Sequence, residues 1–284
     1  MELKIFGTRG SVPVAKKEFL EYGGNTSCYL ITAEDRYFII DAGTGIIGLG
    51  EQITSDLKPI HIFLSHVHLD HIQGLYNFVP FFQEGREIHI YGEERDGVSI
   101  KEQLKSVVRP PFWPVGFAEY TADVHFHDLE QNSKYSIRYT ESVAENTNSE
   151  GMVTEEKVME LYTHRSIHPD MCMNYRFVID GKSFVYAMDY EYEPENEDDI
   201  VSFCKDADFM IFDGAYIPGK VIKGYGHSSW KSALAVQKKA NVKKVLISHF
   251  SHFYNDEILR EQEELMKKES SDAAFAKEEL VVEI

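Results

Sequence analysis

Four residues with metal-ligating side chains follow one another closely in the first third of the chain. They come directly after IHIFLS (60–65), an apolar run typical of a strand buried on both faces, and they are His66, His68, Asp70 and His71. Residues two apart in an extended segment point the same way, so His66 and His68 can bind one ion together. Asp70 and His71, beyond the bend, can point to a second ion. Histidine and carboxylate ligands suit zinc, manganese or iron, and the spacing therefore predicts a metal site.

The composition narrows the kind of substrate that such a site would meet. The 284 residues include 29 Lys and Arg against 47 Asp and Glu, a formal net charge of −18. That charge repels a long polyanion, so we expect a small anionic substrate rather than a long nucleic acid. No run approaches the roughly 20 apolar residues of a membrane span, and residues 1–10 lack the order of a signal peptide. We therefore expect a cytoplasmic protein without a membrane partner.

Strands alternate with helices in both halves of the chain, which predicts the α/β class. Strands that could carry a site are expected at 60–65, 182–189, 208–213 and 243–249. Two of the strands end in Ser-His, FLSH and LISH, as two related halves around a central site would. Residues 141–165 are polar and acidic, and we interpret them as an insertion with one helical turn near 155–162. The whole of 1–284, with this insertion, is expected to form a single domain.

The motif H-x-H-x-D-H after a buried strand resembles that of the metallo-β-lactamase-fold hydrolases. Further segments along nearly the whole chain are similar to a bacterial, GTRGS-type branch of that superfamily, related to the tRNA 3′-processing ribonuclease Z and to cyclic phosphodiesterases. They include GTRGSVPV, YGGNTSCYLI, IIDAGTGI, VYAMDYE, GYGHSSW and KVLISH. The resemblance implies an αββα four-layer sandwich of the metallo-β-lactamase fold.

The resemblance also implies a dinuclear metal centre. The residues in the positions of the family's ligands are His66, His68 and His168 for one ion, and Asp70, His71 and His249 for the other. Asp189 would bridge the two ions together with a hydroxide. The implied cofactors are two divalent transition-metal ions, zinc first and manganese or iron as alternatives. Such a pair activates a water molecule near neutral pH and clamps the oxygens of a phosphoryl group.

Two further residues are carried over with catalytic roles. In the resembling enzymes, a histidine in the position of His227 contacts the substrate phosphate or protonates the leaving oxygen. An acidic residue in the position of Asp213 orients that histidine. The resemblance thus places Asp70, His227 and Asp213 in the catalytic group, and His227 also among the substrate-binding residues.

Residues outside the motif receive separate interpretations. We expect Asp41 to hold the metal-binding loop through hydrogen bonds. Arg9 and Asn25 are candidate substrate-binding residues from two N-terminal loops, with turn or surface roles as the alternatives. His125 and His127 alternate in VHFHD and copy the front of the metal motif, but no D-H follows them, so we interpret them as strand residues.

The expected function is that of a metal-dependent hydrolase that cleaves a phosphodiester bond in a small nucleotide or cyclic nucleotide. Its partners would be that small anionic phosphoester and, in a homodimer, a second copy of the chain. One alternative is a tRNA 3′-processing endoribonuclease of the ribonuclease Z type, for which the chain shows no evident tRNA-gripping arm. Another is a thioester or lactone hydrolase on the same metal site.

Overall fold

A computed structural model describes residues 1–33, 35–144 and 152–284 of the chain. These residues form two seven-stranded sheets with helices on their outer faces. The strands are β1 (Glu2–Gly7), β2 (Cys28–Thr32), β3 (Tyr37–Ile40), β4 (Ile60–Phe63), β5 (Glu87–Glu93), β6 (Asp123–Leu129), β7 (Lys134–Ala144), β8 (Met152–Arg165), β9 (Met173–Ile179), β10 (Lys182–Ala187), β11 (Phe209–Asp213), β12 (Lys244–Ser248), β13 (Ala273–Phe275) and β14 (Val281–Glu283). The α-helices are α1 (Gly45–Gln52), α2 (Leu69–Ile72), α3 (Ile100–Val107), α4 (Glu197–Cys204), α5 (Trp230–Lys239) and α6 (Asp256–Lys267).

The two sheets share one strand pattern. The first has the order β14-β1-β2-β3-β4-β5-β6, and the second has the order β13-β12-β11-β10-β9-β8-β7. In the first sheet, the pairs β14-β1, β1-β2 and β2-β3 are antiparallel, and the pairs from β3 to β6 are parallel. In the second sheet, the pairs from β7 to β10 are antiparallel, and those from β10 to β13 are parallel. The parallel half of each sheet leaves the carboxyl ends of its strands side by side, which is where α/β proteins build their sites.

Three apolar clusters hold the layers together. One lies between the sheets and contains Phe63 of β4 and Phe177 of β9. A second lies between the first sheet and helices α1 and α3, and a third between the second sheet and helices α4, α5 and α6. The α/β class and the αββα layering predicted from the sequence are therefore confirmed. None of the helices that the described residues form has the length and apolar character needed to cross a bilayer.

The segment 141–165 differs from its prediction. Strands β7 and β8 form a long antiparallel hairpin whose pairing runs from Lys134 opposite Tyr162 to Ala144 opposite Met152. The predicted helical turn at 155–162 is wrong, because this part of β8 is extended and buries alternate side chains, Met159 and Leu161, in the core between the sheets. Backbone pairing within the second sheet satisfies the polar groups of these residues. Residues 145–151 lie outside the described residues.

Candidate metal centre

The seven predicted metal ligands meet at the carboxyl ends of the strands. They lie in the loop and helix α2 that follow β4 and in the loops before β9, after β10 and after β12, and they are His66, His68, Asp70, His71, His168, Asp189 and His249. Within each of three overlapping groups of these residues, the potential ligand atoms lie within 4.8 Å of one another. Loops from both sheets thus contribute to one site.

One group consists of three histidines. The Nε2 atom of His168 lies 3.2 Å from Nδ1 of His68, and the ring centroids of His66 and His68 are 4.3 Å apart. His66 is buried, and among the described residues its Nε2 atom has no hydrogen-bond partner. A buried polar atom without a partner is costly, and a bound cation would satisfy it.

A second group lies beside the first. The Nε2 atoms of His71 and His249 are 3.2 Å apart, and Oδ2 of Asp70 lies 3.4 Å from each of them. The amide of Ser11 donates to the same Asp70 oxygen at 2.6 Å, so the GTRGS loop helps to place this carboxylate. These distances suit one ion held by two imidazoles and a carboxylate.

Asp189 stands between the two groups. Its Oδ2 atom lies 3.3 Å from Nε2 of His71 and 3.5 Å from Nε2 of His249, and its Oδ1 atom lies 3.8 Å from Nε2 of His168. Asp189 is 1% exposed, and within the described part of the chain its Oδ2 atom accepts no hydrogen bond. An ionised carboxylate that is buried without a donor points to cations on either side of it.

The protonation states of these groups suit metal binding. Burial lowers the pKa of His66, His68 and His168, which keeps their imidazoles neutral. Burial opposes the ionisation of Asp70 and Asp189, but the neighbouring histidines outweigh it and hold both pKa values well below the usual range. Neutral imidazoles and ionised carboxylates are the forms that ligate a metal.

The raised pKa of His71 shows that the centre favours a positive charge. Burial lowers its pKa, yet the carboxylates of Asp189, Asp70 and Asp41 outweigh burial and raise the pKa well above the usual value. In the metal-free chain a proton on His71 therefore supplies the charge that three carboxylates demand. A metal cation can take over that function, so the donor set fits the divalent ions that the sequence predicts.

Asp41 holds the loop that carries the predicted ligands through hydrogen bonds, as the sequence predicts. Its carboxylate accepts from the Ser65 amide at 2.7 Å, the Ser65 hydroxyl at 2.9 Å, Nδ1 of His71 at 2.7 Å and the Tyr186 hydroxyl at 2.5 Å. The bond to His71 fixes the proton on Nδ1 and leaves Nε2 free to face a metal. Sequence reasoning missed Tyr186, because it lies on β10 of the other sheet and its spacing carries no metal-site signal.

Glycines allow two ligand rings to lie against the backbone. A Cβ atom on Gly10 would come within 2.5 Å of the His249 ring, and one on Gly226 within 2.1 Å of Nδ1 of His168. Glu191 orders the loop around Gly226 by accepting from the amides of Gly224 and Gly226 at 2.7 and 2.8 Å. In the sequence, the glycines of GTRGS and GYGH are the signals for this close approach of the two rings to the backbone.

His227 and Asp213 form a pair at the edge of the centre. Nδ1 of His227 donates to Oδ2 of Asp213 at 2.8 Å, and the same nitrogen lies 3.9 Å from Oδ1 of Asp189. Asp213 also accepts from the amides of Asp189 and Ser228, so it braces both loops. Burial lowers the pKa of His227, but Asp213 outweighs it and raises the pKa to about 9. The imidazole is thus a ready proton donor near neutral pH.

The two N-terminal candidates, Arg9 and Asn25, make hydrogen bonds within the protein. Arg9 is fully buried, and its guanidinium donates to the carbonyl oxygens of Gly23 at 2.6 Å and Tyr254 at 2.7 Å. Asn25 donates from its side chain to Glu278 at 3.0 Å. These contacts favour the turn role that the sequence left open as an alternative, and a substrate-binding role for the two residues stays a prediction. Through Tyr254 and Glu278 these side chains tie N-terminal loops to the C-terminal segment.

Comparison with known proteins identifies the family of the chain. The family model described as "Beta-lactamase superfamily domain" matches residues 36–250, a range that contains all seven predicted ligands. The chain belongs to the beta-lactamase superfamily. The metallo-β-lactamase fold implied by the sequence resemblance is thereby confirmed.

Relatives of this superfamily member cover 92% or more of its length. The ribonuclease Z of Staphylococcus aureus (strain MSSA476) is 25% identical over 294 aligned residues, which span 92% of each chain. Among solved structures, the metallo-β-lactamase fold protein YhfI from Bacillus subtilis is 20% identical, with a TM-score of 0.67 over 99% of this chain and 98% of its own. The short form of human tRNase Z is 17% identical, with a TM-score of 0.66 over 100% and 99%. At these identities the two structures show that the fold is shared.

Proposed function

We propose that this superfamily hydrolase is a dinuclear metal-dependent phosphodiesterase acting on a small nucleotide or cyclic nucleotide. The observation that carries the proposal is the position of Asp189. Its buried Oδ2 accepts no hydrogen bond from the described residues, and it faces histidines that follow strands of both sheets. His66, His68 and His168 would hold one divalent ion, and the group around Asp70 the other. Because the ligands come from both halves of the chain, we treat 1–284 as one hydrolase domain.

The residues around the ions divide the chemical work. When bound, a pair of divalent ions activates a water molecule and neutralises the phosphoryl oxygens. Asp189 keeps the two ligand groups in register, and Asp41 keeps the proton of His71 on Nδ1. Asp213 engages Nδ1 of His227, so Nε2 is the atom that can bind a phosphate oxygen or give a proton to the leaving oxygen.

The net charge of the chain favours a small substrate. The chain carries a formal net charge of −18, so a long polyanion meets repulsion outside the immediate centre. A short phosphodiester needs only the cationic centre itself. The names of two similar proteins, ribonuclease Z and tRNase Z, favour RNA as the second candidate substrate, with tRNA 3′ processing as the activity.

A substrate panel tests the proposal. The purified protein, loaded with zinc or with manganese, would be offered bis(p-nitrophenyl) phosphate, 2′,3′- and 3′,5′-cyclic nucleotides, precursor tRNA, a lactone and a thioester. We expect turnover of the small phosphodiesters and its loss in Asp189→Ala. Cleavage of precursor tRNA alone would establish the second candidate instead. Turnover of the lactone or thioester with all phosphodiesters untouched would overturn both.

A further inference from the structure

A second group of histidines lies on three neighbouring strands of the first sheet and contains none of the predicted metal ligands. We call it the histidine ladder: His61 on β4, His89 on β5, and His125 and His127 on β6. His61 pairs in register with His89, and His89 with His125. Tyr91 pairs with His127 in the same way. The alternate residues of these strands pack under helices α1 and α3, so the ladder faces the second sheet.

The ladder crosses from the core to the solvent. The rings of His61 and His89 stack with centroids 4.7 Å apart, those of His89 and His125 at 5.0 Å, and those of Tyr91 and His127 at 4.5 Å. His61 is buried, whereas the His89 side chain is 18% exposed and that of His125 41% exposed. Water and dissolved ions can therefore reach its outer end.

Two nitrogen atoms of the ladder converge at that outer end. Nδ1 of His89 lies 2.9 Å from Nε2 of His127, and the opposite nitrogen of His89 lies 3.0 Å from the Glu87 carboxylate. Glu87 accepts the Nε2 proton of His89, so Nδ1 is left with its lone pair. A carboxylate behind a histidine in this way orients the ring and raises its basicity as a ligand. Burial also lowers the pKa of His89 and His127, which keeps both rings neutral.

We propose that His89 and His127 form a separate binding site for a divalent transition-metal ion. The ion would bridge β5 and β6 through Nδ1 of His89 and Nε2 of His127, with water in its remaining positions. His127 would carry its proton on Nδ1 in that state. Imidazole ligands suit copper, nickel and zinc, and Cu²⁺ binds such sites most tightly in this series. The site lies outside the H-x-H-x-D-H motif and does not depend on the proposed hydrolase activity.

The other members of the ladder are engaged elsewhere. Nδ1 of His61 lies 3.0 Å from the Tyr91 hydroxyl, and its Nε2 lies 3.4 Å from the cationic Arg36 guanidinium. His125 lies 3.2 Å from the Asp123 carboxylate. The two-histidine chelate is therefore local to one pair, and His125 provides a matched control in the same face of the same strand.

Copper binding to the zinc-loaded protein tests the site. We expect one equivalent of Cu²⁺ beyond the retained zinc, with an electron paramagnetic resonance spectrum that shows coupling to imidazole nitrogens. His89→Gln and His127→Gln should each lose that equivalent, and His125→Gln should keep it. Far-ultraviolet circular dichroism and the amount of zinc retained check that the variants fold, because none of these residues belongs to the metal centre.

Elemental analysis separates the outcomes. If Cu²⁺ only displaces zinc, with the total number of ions unchanged, the site does not exist and the pair is a simple imidazole hydrogen bond. If the additional copper signal survives in both His89→Gln and His127→Gln, it arises elsewhere and the proposal is overturned. Both outcomes are independent of whether any phosphodiester is hydrolysed, so they do not test the proposed function.

Discussion

Replacement of Asp41 by Asn should weaken metal binding without touching a metal ligand. The Asp41 carboxylate is fully buried and accepts four hydrogen bonds, two of them from Ser65, one from His71 and one from Tyr186. An Asn side chain keeps one acceptor and turns an N–H₂ group toward the remaining donors. The hydroxyls of Ser65 and Tyr186 can rotate to accept, but Nδ1 of His71 can accept only if its proton moves to Nε2.

That change of tautomer sets the magnitude. Nε2 is the His71 atom that lies beside His249 and Asp189, and a protonated nitrogen cannot ligate a metal. Loss of such a supporting carboxylate costs about 10–100-fold in metal affinity, which corresponds to roughly 1.4–2.8 kcal/mol. Tyr186→Phe removes one donor and leaves the carboxylate, so its effect on affinity should be severalfold smaller.

Zinc affinity measured by competition with a chromophoric chelator checks this reasoning. The unfolding temperature of the metal-free variants separates a general loss of stability from a loss of metal affinity. We expect the order wild type, Tyr186→Phe, Asp41→Asn from tightest to weakest. A zinc dissociation constant of Asp41→Asn within twofold of wild type would refute the account of the His71 tautomer.

Three other predictions concern the proton donor, a glycine and the buried end of the ladder. His227→Asn should retain bound metal but lose about 10²–10⁴-fold in kcat, measured on a phosphodiester; an unchanged kcat would remove His227 from the mechanism. Gly226→Ala should weaken zinc binding by about tenfold, because the added Cβ would press on His168. Gly224 has a similar positive φ but open space around its Cα, so Gly224→Ala should bind zinc normally. Burial, followed by the charges of neighbouring groups, lowers the pKa of His61 to about 3, so the folded state binds fewer protons than the unfolded state. Neutral His61 therefore contributes fully to the free energy of unfolding above pH 6.5, and this contribution is lost as the pH falls toward 3. The loss at pH 5 is about 2 kcal/mol. Urea unfolding of the metal-free protein at pH 7 and pH 5 should show that loss reduced in His61→Phe, and an equal loss in both proteins would contradict it.

Local spacing predicted the parts of the site that lie within one segment. His66, His68, Asp70 and His71 occupy a single loop and a short helix after β4, so their relative directions follow from backbone geometry alone. The buried runs before His66 and His249 likewise predicted strands, because continuous apolar stretches of that length fit a parallel sheet covered on both faces. The fold class followed from the same alternation of strands and helices.

Polar composition misled the interpretation of the hairpin. Residues 141–165 are acidic, and a charged segment of low hydrophobicity commonly lies outside a core. Strand β8 nevertheless buries Met159 and Leu161, because every second side chain is enough to cover one face of a sheet. Arg9 shows a related ambiguity, since a cation in a glycine-rich loop can donate to backbone carbonyls in the interior as well as to a substrate.

The sequence by itself determined the chemistry of this protein: which residues can ligate a metal, which strands carry them, and which superfamily's motif they repeat. Only the tertiary structure decided that Asp189 stands between ligands from two sheets, that Tyr186 and Asp41 fix the proton of His71, and that His89 meets His127. The physical reason is that backbone periodicity sets the direction of side chains within one element. Contacts between elements depend on how the sheets pair and pack, and no local pattern records that arrangement.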